Sequence, residues 1–239
     1  LFTAGFAWVC LATGVAPMAA LATQSDAAPF YKDGRASTDG IGKSYHGREI
    51  ARVMGFEGAA WLERPTREQE ERTDLLLGQL HLEPGMAVAD IGAGSGYLSR
   101  RMAPSVSPGK VYAVDVQPQM VKLLTALAHE PGMMNLIPVQ GAASDVSLPA
   151  ASVDMAIMVD VYHELEFPRE VMQSVLRALK PGGRMIFVEY RGEDPAVPIK
   201  PLHKMTEAQV RLEMQGLPLT WERTSEVLPI QHIIIFRRR

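Results

Sequence analysis

The chain has 239 residues, 47% of them hydrophobic, and a net charge of −3. That length suits one sizeable globular domain with an ample core, and the near balance of charge gives no electrostatic footprint for nucleic acid. The single cysteine, Cys10, excludes an intrachain disulfide and any metal site built on cysteines.

The first 25 residues carry no charge, and Phe2 to Ala22 is rich in Ala, Val and Leu. Ala20-Leu21-Ala22 is a small-x-small site before a polar stretch, so residues 1–22 read as a secretory signal peptide, with export to the periplasm or outside the cell. An uncleaved membrane anchor is the rival: about 20 apolar residues suffice for a span, although Gly5, Gly14 and Pro17 weaken such a helix. A cytoplasmic address follows if neither holds. Residues 23–45 are rich in Ala, Gly, Ser and Asp and read as a linker. Residues 46–64 suggest one or two short helices, and Tyr45, His46 and Arg48 are expected in an N-terminal lid. Residues 23–65 thus precede a domain spanning 66–239.

Thr66 and Gln69 have the spacing of a capping box, and a helix is predicted from there to Leu80. Its Arg67/Glu71 and Glu68/Arg72 pairs suggest a solvated face, and Leu75, Leu76 and Leu80 a core face. Strands and helices then alternate: strand 87–91, helix 96–103, strand 111–116, helix 118–129, strand 136–139, strand 153–159, helix 168–179 and strand 185–190. Met120, Leu123, Leu124 and Leu127, and again Met172, Val175, Leu176 and Leu179, have helical spacing. A helix near 206–215 and strands near 218–224 and 230–236 close the chain. The alternation predicts an α/β fold: a mostly parallel sheet with helices on both faces.

Val88-Ala89-Asp90-Ile91 runs into Gly92-Ala93-Gly94-Ser95-Gly96. Glycines let backbone approach a ligand, and a helix start offers free N–H groups. A dinucleotide-binding fingerprint wants a further glycine where Tyr97 stands, which disfavours a nicotinamide-dependent oxidoreductase. Asp90, two residues before the first glycine, fits a cationic ligand better than a pyrophosphate.

Asp-x-Gly-x-Gly-x-Gly after a strand resembles motif I of the class I S-adenosylmethionine-dependent methyltransferases. The likeness extends over roughly 66–190. It includes Asp115 at the end of the second strand, Leu148-Pro149 and Ser152-Val153-Asp154 before the fourth, and Leu179-Lys180-Pro181-Gly182-Gly183-Arg184 before the fifth. The small-molecule branch that contains the ubiquinone/menaquinone-type enzymes is the most similar. The resemblance implies a Rossmann-like seven-stranded sheet in order 3-2-1-4-5-7-6, with S-adenosylmethionine over the carboxyl ends of the strands.

By the same resemblance, Asp90 with Gly92, Ala93, Gly94 and Gly96 would hold the methionine part of the cofactor. Asp115 would take both ribose hydroxyls, with Val116 and Gln117 on the same edge. Asp145 would reach the adenine amine, although the loop 141–145 departs from the usual pattern.

Methyl transfer from a sulfonium is an in-line displacement that mainly needs alignment and exclusion of water, so a missing catalytic triad does not count against it. Asp160-Val161-Tyr162-His163-Glu164 follows the fourth strand, beside the transferable methyl in this fold. His163 is the candidate general base, because imidazole suits proton transfer near neutral pH. Asp160 is a positioning residue that also touches the cofactor, and Tyr162 packs over the cofactor or into the core. Asp160, His163, Glu164, Glu189, His203 and His232 are possible metal ligands in principle. The ligand pattern of metal-dependent members is not reproduced, and no metal is expected. Glu189, Tyr190 and Arg191, with Lys200, His203 and Lys204, either line a pocket for a small, anionic acceptor or stand in a solvated loop. The acceptor and the oligomeric state are not readable from the sequence.

Overall fold

The computed structural model describes residues 1–2 and 30–239. Apart from Leu1 and Phe2, the predicted signal or anchor segment lies outside the described residues. Among the described residues, no helix is long and apolar enough to cross a membrane.

The stretch predicted as a linker instead holds two strands, β1 (Tyr31–Asp33) and β2 (Gly40–Tyr45), and β3 (Arg48–Ala51) stands where a short helix was expected; the three form one antiparallel sheet of order β1-β2-β3. Between β2 and β3 stand His46 and Gly47, with φ of 48° and 86°. Two left-handed residues in a two-residue loop make the turn whose twist matches paired strands. The glycine-rich composition hid this hairpin, and His46-Gly47 was its one local signal. Ile50 and Ala51 are fully buried. The sheet is tied to the main domain by Lys43–Glu166 and Arg48–Glu213 ion pairs and a Tyr31–Glu170 hydrogen bond.

α1 (Ala59–Leu62) follows, and the single predicted helix from Thr66 is two, α2 (Arg67–Glu71) and α3 (Thr73–Leu80). The break is Arg72, left-handed at φ 53°. Its guanidinium bonds Asp74 at 2.7 and 2.8 Å rather than Glu68. Thr66 makes no capping hydrogen bond. Arg67 and Glu71 do pair, at 2.8 Å, but both are buried rather than solvated.

The main domain then runs β4 (Ala87–Ile91), α4 (Ser99–Val106), β5 (Lys110–Asp115), α5 (Pro118–Ala128), β6 (Leu136–Gln140), β7 (Val153–Val159), α6 (Pro168–Ala178), β8 (Leu179–Tyr190), α7 (Glu207–Glu213), β9 (Leu219–Ser225) and β10 (Gln231–Arg238). Seven strands form one sheet in the order β6-β5-β4-β7-β8-β10-β9. The first five are parallel, and β10 is antiparallel to both neighbours. Two differences from the predicted elements matter. α4 starts at Ser99, not at Gly96, and Leu123 of α5 is exposed while Met120, Leu124 and Leu127 are buried.

The sheet has a core on each face because successive strand residues alternate sides. Ala89, Ile91, Ala156, Met158, Met185 and Phe187 pack with residues of α6 and α7. Val88, Met155, Ile157, Ile186 and Val188 pack with α3 and α4. β7 is therefore apolar almost throughout, as a strand covered on both faces must be, and each such side chain contributes roughly 1.5–3 kcal/mol by leaving water. The topology brings the carboxyl ends of β4, β5, β7 and β8 to one rim.

Candidate functional site

A cavity of about 510 Å³ opens at that rim, with a mostly apolar wall. Gly92 and Gly94 after β4, Asp115, Val116 and Gln117 at the end of β5, and Gly141, Ala142 and Asp145 after β6 line one side. Asp160, His163 and Glu164 after β7, Tyr190 at the end of β8, and Lys200 and His203 beyond it line the other. Val53, Met54, Trp61, Leu62 and Arg67 come from the segment before the sheet. Predicted site residues from four separate loops thus share one pocket.

The turn after β4 is built for close approach. Gly92 and Gly94 have φ of 72° and 56°. A Cβ on Gly92 would sit 2.5 Å from the Val161 side chain, and one on Gly94 2.6 Å from Leu62. Most N–H groups of the turn are, however, already used. Gly92 and Ala93 donate to the Val114 carbonyl, Gly96 to that of Ala93, and Gly94 to Asp115 Oδ2 at 2.9 Å. Asp115 Oδ1 accepts from the Gln117 N–H at 2.8 Å. Each oxygen keeps a second lone pair, and burial raises the pKa of the carboxyl. Gln117 in turn donates to the Met54 carbonyl, at 3.0 Å, which links the rim to the preceding segment.

Asp90 differs from its expected place. It is absent from the pocket wall, and its Oδ2 accepts from the Ser99 hydroxyl at 2.6 Å. Burial pushes its carboxyl up to about 6, against that hydrogen bond. Asp90 thus fastens the start of α4 beneath the turn. Ala93 and Gly96 also lie behind the wall. Asp145 lines the pocket, but its carboxylate is held by Arg177 at 2.5 Å and by the Ser147 N–H at 2.7 Å.

At the opposite end, Asp160 is a non-glycine residue at φ 54°, a conformation that costs energy and clusters at functional sites. Its Oδ2 accepts from Gln231 at 2.7 Å, while Oδ1 is out of solvent with no partner. Burial, then the nearby Glu71 and Glu189, raises its pKa well above the usual carboxylate range. His163 is 1% exposed and lies 2.5 Å from Glu189 Oε2 through Nδ1. Glu189 Oε1 accepts the Tyr162 N–H at 3.0 Å. The carboxylate is an acceptor, so Nδ1 donates to it and Nε2 is left for the pocket that His163 lines.

Of its two expected places Tyr162 takes the core: it packs edge-on against Phe187 and lines no part of the pocket, which removes it from the catalytic candidates. His232 is buried away from the wall, and Arg191 and Lys204 bond loop carbonyls instead. Tyr45, His46 and Arg48 do not form the lid. Arg48 is buried against Glu213 at 2.8 Å and the His163 carbonyl at 3.0 Å, bracing the acceptor loop from behind.

The residues that do cover the pocket, from Val53 to Arg67, lie later in the chain than those expected for the lid. Glu71 holds them down: it accepts from Arg64 at 2.7 Å, Arg67 at 2.8 Å and the Tyr190 hydroxyl at 3.3 Å. The arginine and glutamate spacing was visible, but it reads equally as a surface helix.

Residues 89–187 match the family described as methyltransferase domain. The malonyl-[acyl-carrier protein] O-methyltransferase of Methylococcus capsulatus is 30% identical over 138 residues, 57% of this chain and 48% of that protein. The ubiquinone/menaquinone biosynthesis C-methyltransferase of Ectopseudomonas mendocina is 30% identical over 131 residues, 49% of this chain and 51% of that protein. The chain therefore spans about half the length of these curated relatives. A crystal structure of an S-adenosylmethionine-dependent methyltransferase from Aquifex aeolicus superposes with a TM-score of 0.73 at 24% identity, covering 78% of this chain and all of the other. Residues 89–187, which run from β4 into β8, are thus similar to a methyltransferase domain, and the fold is that of the Aquifex aeolicus enzyme.

Proposed function

We propose that the protein transfers a methyl group from S-adenosylmethionine to a small-molecule acceptor held at the β7–β8 end of the pocket. The observation that carries this reading is the single cavity shared by the β4 glycine turn, Asp115 and the polar loop 160–164. The sheet order β6-β5-β4-β7-β8-β10-β9 with antiparallel β10 supports the class I arrangement that the motifs imply. The name of the quinone-biosynthesis relative supports a small acceptor.

The residues present fit the cofactor. Asp115, with a lone pair left on each oxygen, would accept from the ribose hydroxyls. The partnerless Oδ1 of Asp160 is a natural acceptor for the ammonium group. Met120 and Val146, with the loop 141–145, would bound the adenine. When bound, S-adenosylmethionine supplies an electrophilic methyl already activated by its sulfonium charge. The protein's part is to align the acceptor and exclude water, for which Met54, Trp61 and Leu62 form an apolar cover. His163, its ring fixed by Glu189, presents Nε2 to the acceptor and can take a proton from a neutral oxygen or nitrogen. The apolar residues 1–22 support an exported or membrane-anchored protein.

Calorimetric titration of the full chain with S-adenosylmethionine and with S-adenosylhomocysteine, using NAD as control, tests the reading. Saturable binding of the first two alone is the expected result. Binding of none would remove it, and turnover in a screen of small acceptors separates an enzyme from a binding protein.

A further inference from the structure

We infer that His163, Glu164 and His203 hold a divalent transition-metal ion, such as Zn²⁺, in the acceptor end of the pocket. These three side chains each offer a ligand atom, and all three atoms lie within 4.8 Å of one another. Glu164 Oε1 is 3.3 Å from His203 Nδ1 and 3.9 Å from His163 Nε2. Bonds of about 2.0–2.2 Å to a tetrahedral ion place ligand atoms about 3.4 Å apart. One of these separations is already there, and the other needs a shift of about half an ångström.

Two further features distinguish the cluster from a chance meeting of polar groups. Glu189 accepts from His163 Nδ1 at 2.5 Å and is itself fully buried. A carboxylate behind a histidine fixes its tautomer and aims Nε2, as the outer partner does at histidine metal sites. Glu164 is likewise held from behind, by the Met54 N–H at 3.3 Å from both oxygens. The ligand set, two imidazoles and one carboxylate, suits first-row divalent ions such as Zn²⁺, Fe²⁺ or Co²⁺ rather than Mg²⁺ or Ca²⁺.

Three protein ligands leave a coordination position open, and all three residues line the pocket. The ligand class that fits the open position is a small molecule bearing an anionic oxygen. The link to the acceptor rests on the proposed methyl transfer, but the ion site does not. With the ion in place, His163 Nε2 is a ligand, and the acceptor is oriented through the ion rather than by the imidazole.

The test uses the full chain, stripped with EDTA and carrying no histidine tag. CoCl₂ is titrated and followed by visible absorption, and ZnCl₂ competes. One equivalent of Co²⁺ should bind saturably, be displaced by Zn²⁺, and change its spectrum on adding azide at the open position. His203→Ala and Glu164→Gln should each weaken Co²⁺ binding at least 30-fold with unchanged circular dichroism, and His129→Ala should not. No saturable binding, equal binding by the two variants, or a spectrum indifferent to azide overturns the proposal. S-adenosylhomocysteine titrated into the same stripped protein separates the two readings. Its binding without Co²⁺ binding removes only the metal, and the reverse removes only the methyl donor.

Discussion

At the β4–β5 end of the pocket the wall is made by glycine backbone and by Asp115, whose oxygens are already tied to main-chain N–H groups. At the β7–β8 end it is made by side chains: Asp160, proposed above to meet the cofactor's ammonium group, and His163 and Glu164, which face the acceptor. These are held from behind by residues distant in sequence: Gln231, Glu189, Arg48 and Met54. The first end depends on local conformation, so a short motif encodes it. The second depends on tertiary packing, so the chemistry there is set by partners that no local pattern announces. A shared donor needs a constant shape, whereas an acceptor site is free to vary, and the division between the two ends matches those demands.

The sharpest way to break that comparison is His163→Ala. Turnover, measured with an acceptor found by screening, should fall about 100-fold or more, whether the imidazole takes the proton itself or holds the proposed ion. Affinity for S-adenosylhomocysteine should change by less than about threefold, since the cofactor end does not use the imidazole. A matching loss of cofactor affinity would mean that the two ends are one unit.

Asp90 tests the cofactor end through pH. Its carboxyl is pushed up to about 6 by burial, from an unfolded value near 4. The folded state therefore binds this proton more tightly, so the contribution is present below about pH 4 and is lost as pH rises through about 6. The whole effect is at most about 3 kcal/mol, from ~1.4 kcal/mol per pH unit. Asp90→Asn should flatten that part of the pH dependence in urea unfolding between pH 4 and 7. An unchanged slope would show that Asp90 titrates normally.

Gly92→Ala should destabilise the fold by about 2 kcal/mol, from the left-handed backbone and the new contact with Val161. S-adenosylhomocysteine affinity should drop roughly tenfold with it, about 1.4 kcal/mol. Chemical denaturation and calorimetry check the two numbers, and a neutral variant would mean that the turn is not a close-approach point.

Much of this was legible in the sequence for a definite reason. Apolar strands such as 153–159 and helices such as 168–178 carry their period in the residues themselves, and the glycine turn carries its shape. What escaped was set by tertiary context. The β2–β3 hairpin stands in a glycine-rich stretch with weak alternation, and only His46-Gly47 marks it. The helix from Thr66 breaks at Arg72 although its residues favour continuity, because Arg67 and Glu71 turn inward to meet Tyr190. Asp90 and Tyr162 have the right types at the right positions but face the wrong way, and facing is decided by packing. The meeting of His163, Glu164 and His203 depends on a loop about 40 residues later folding back over β8, which residue spacing cannot state.

The smallest effect is expected at the cover, and it sharpens the comparison because Trp61 belongs to neither end. Its ring lines the cavity mouth with 44% of its surface exposed, and the Arg64 guanidinium stacks on it at 3.8 Å. Arg64 also holds Glu71, the group that anchors the cover. Trp61→Ala removes apolar area that is only half buried and an exposed cation–π contact worth roughly 0.5–1 kcal/mol. Stability should therefore fall by less than about 1 kcal/mol, since Arg64 keeps its hydrogen bonds to Glu70 and Glu71. Release of S-adenosylhomocysteine, followed by stopped-flow, should quicken two- to fivefold, because a cover that excludes water acts on departure more than on arrival. If release stays unchanged while the acceptor KM rises, the segment from Val53 to Arg67 belongs to the acceptor end, and the constant part of the site is the glycine turn and Asp115 alone.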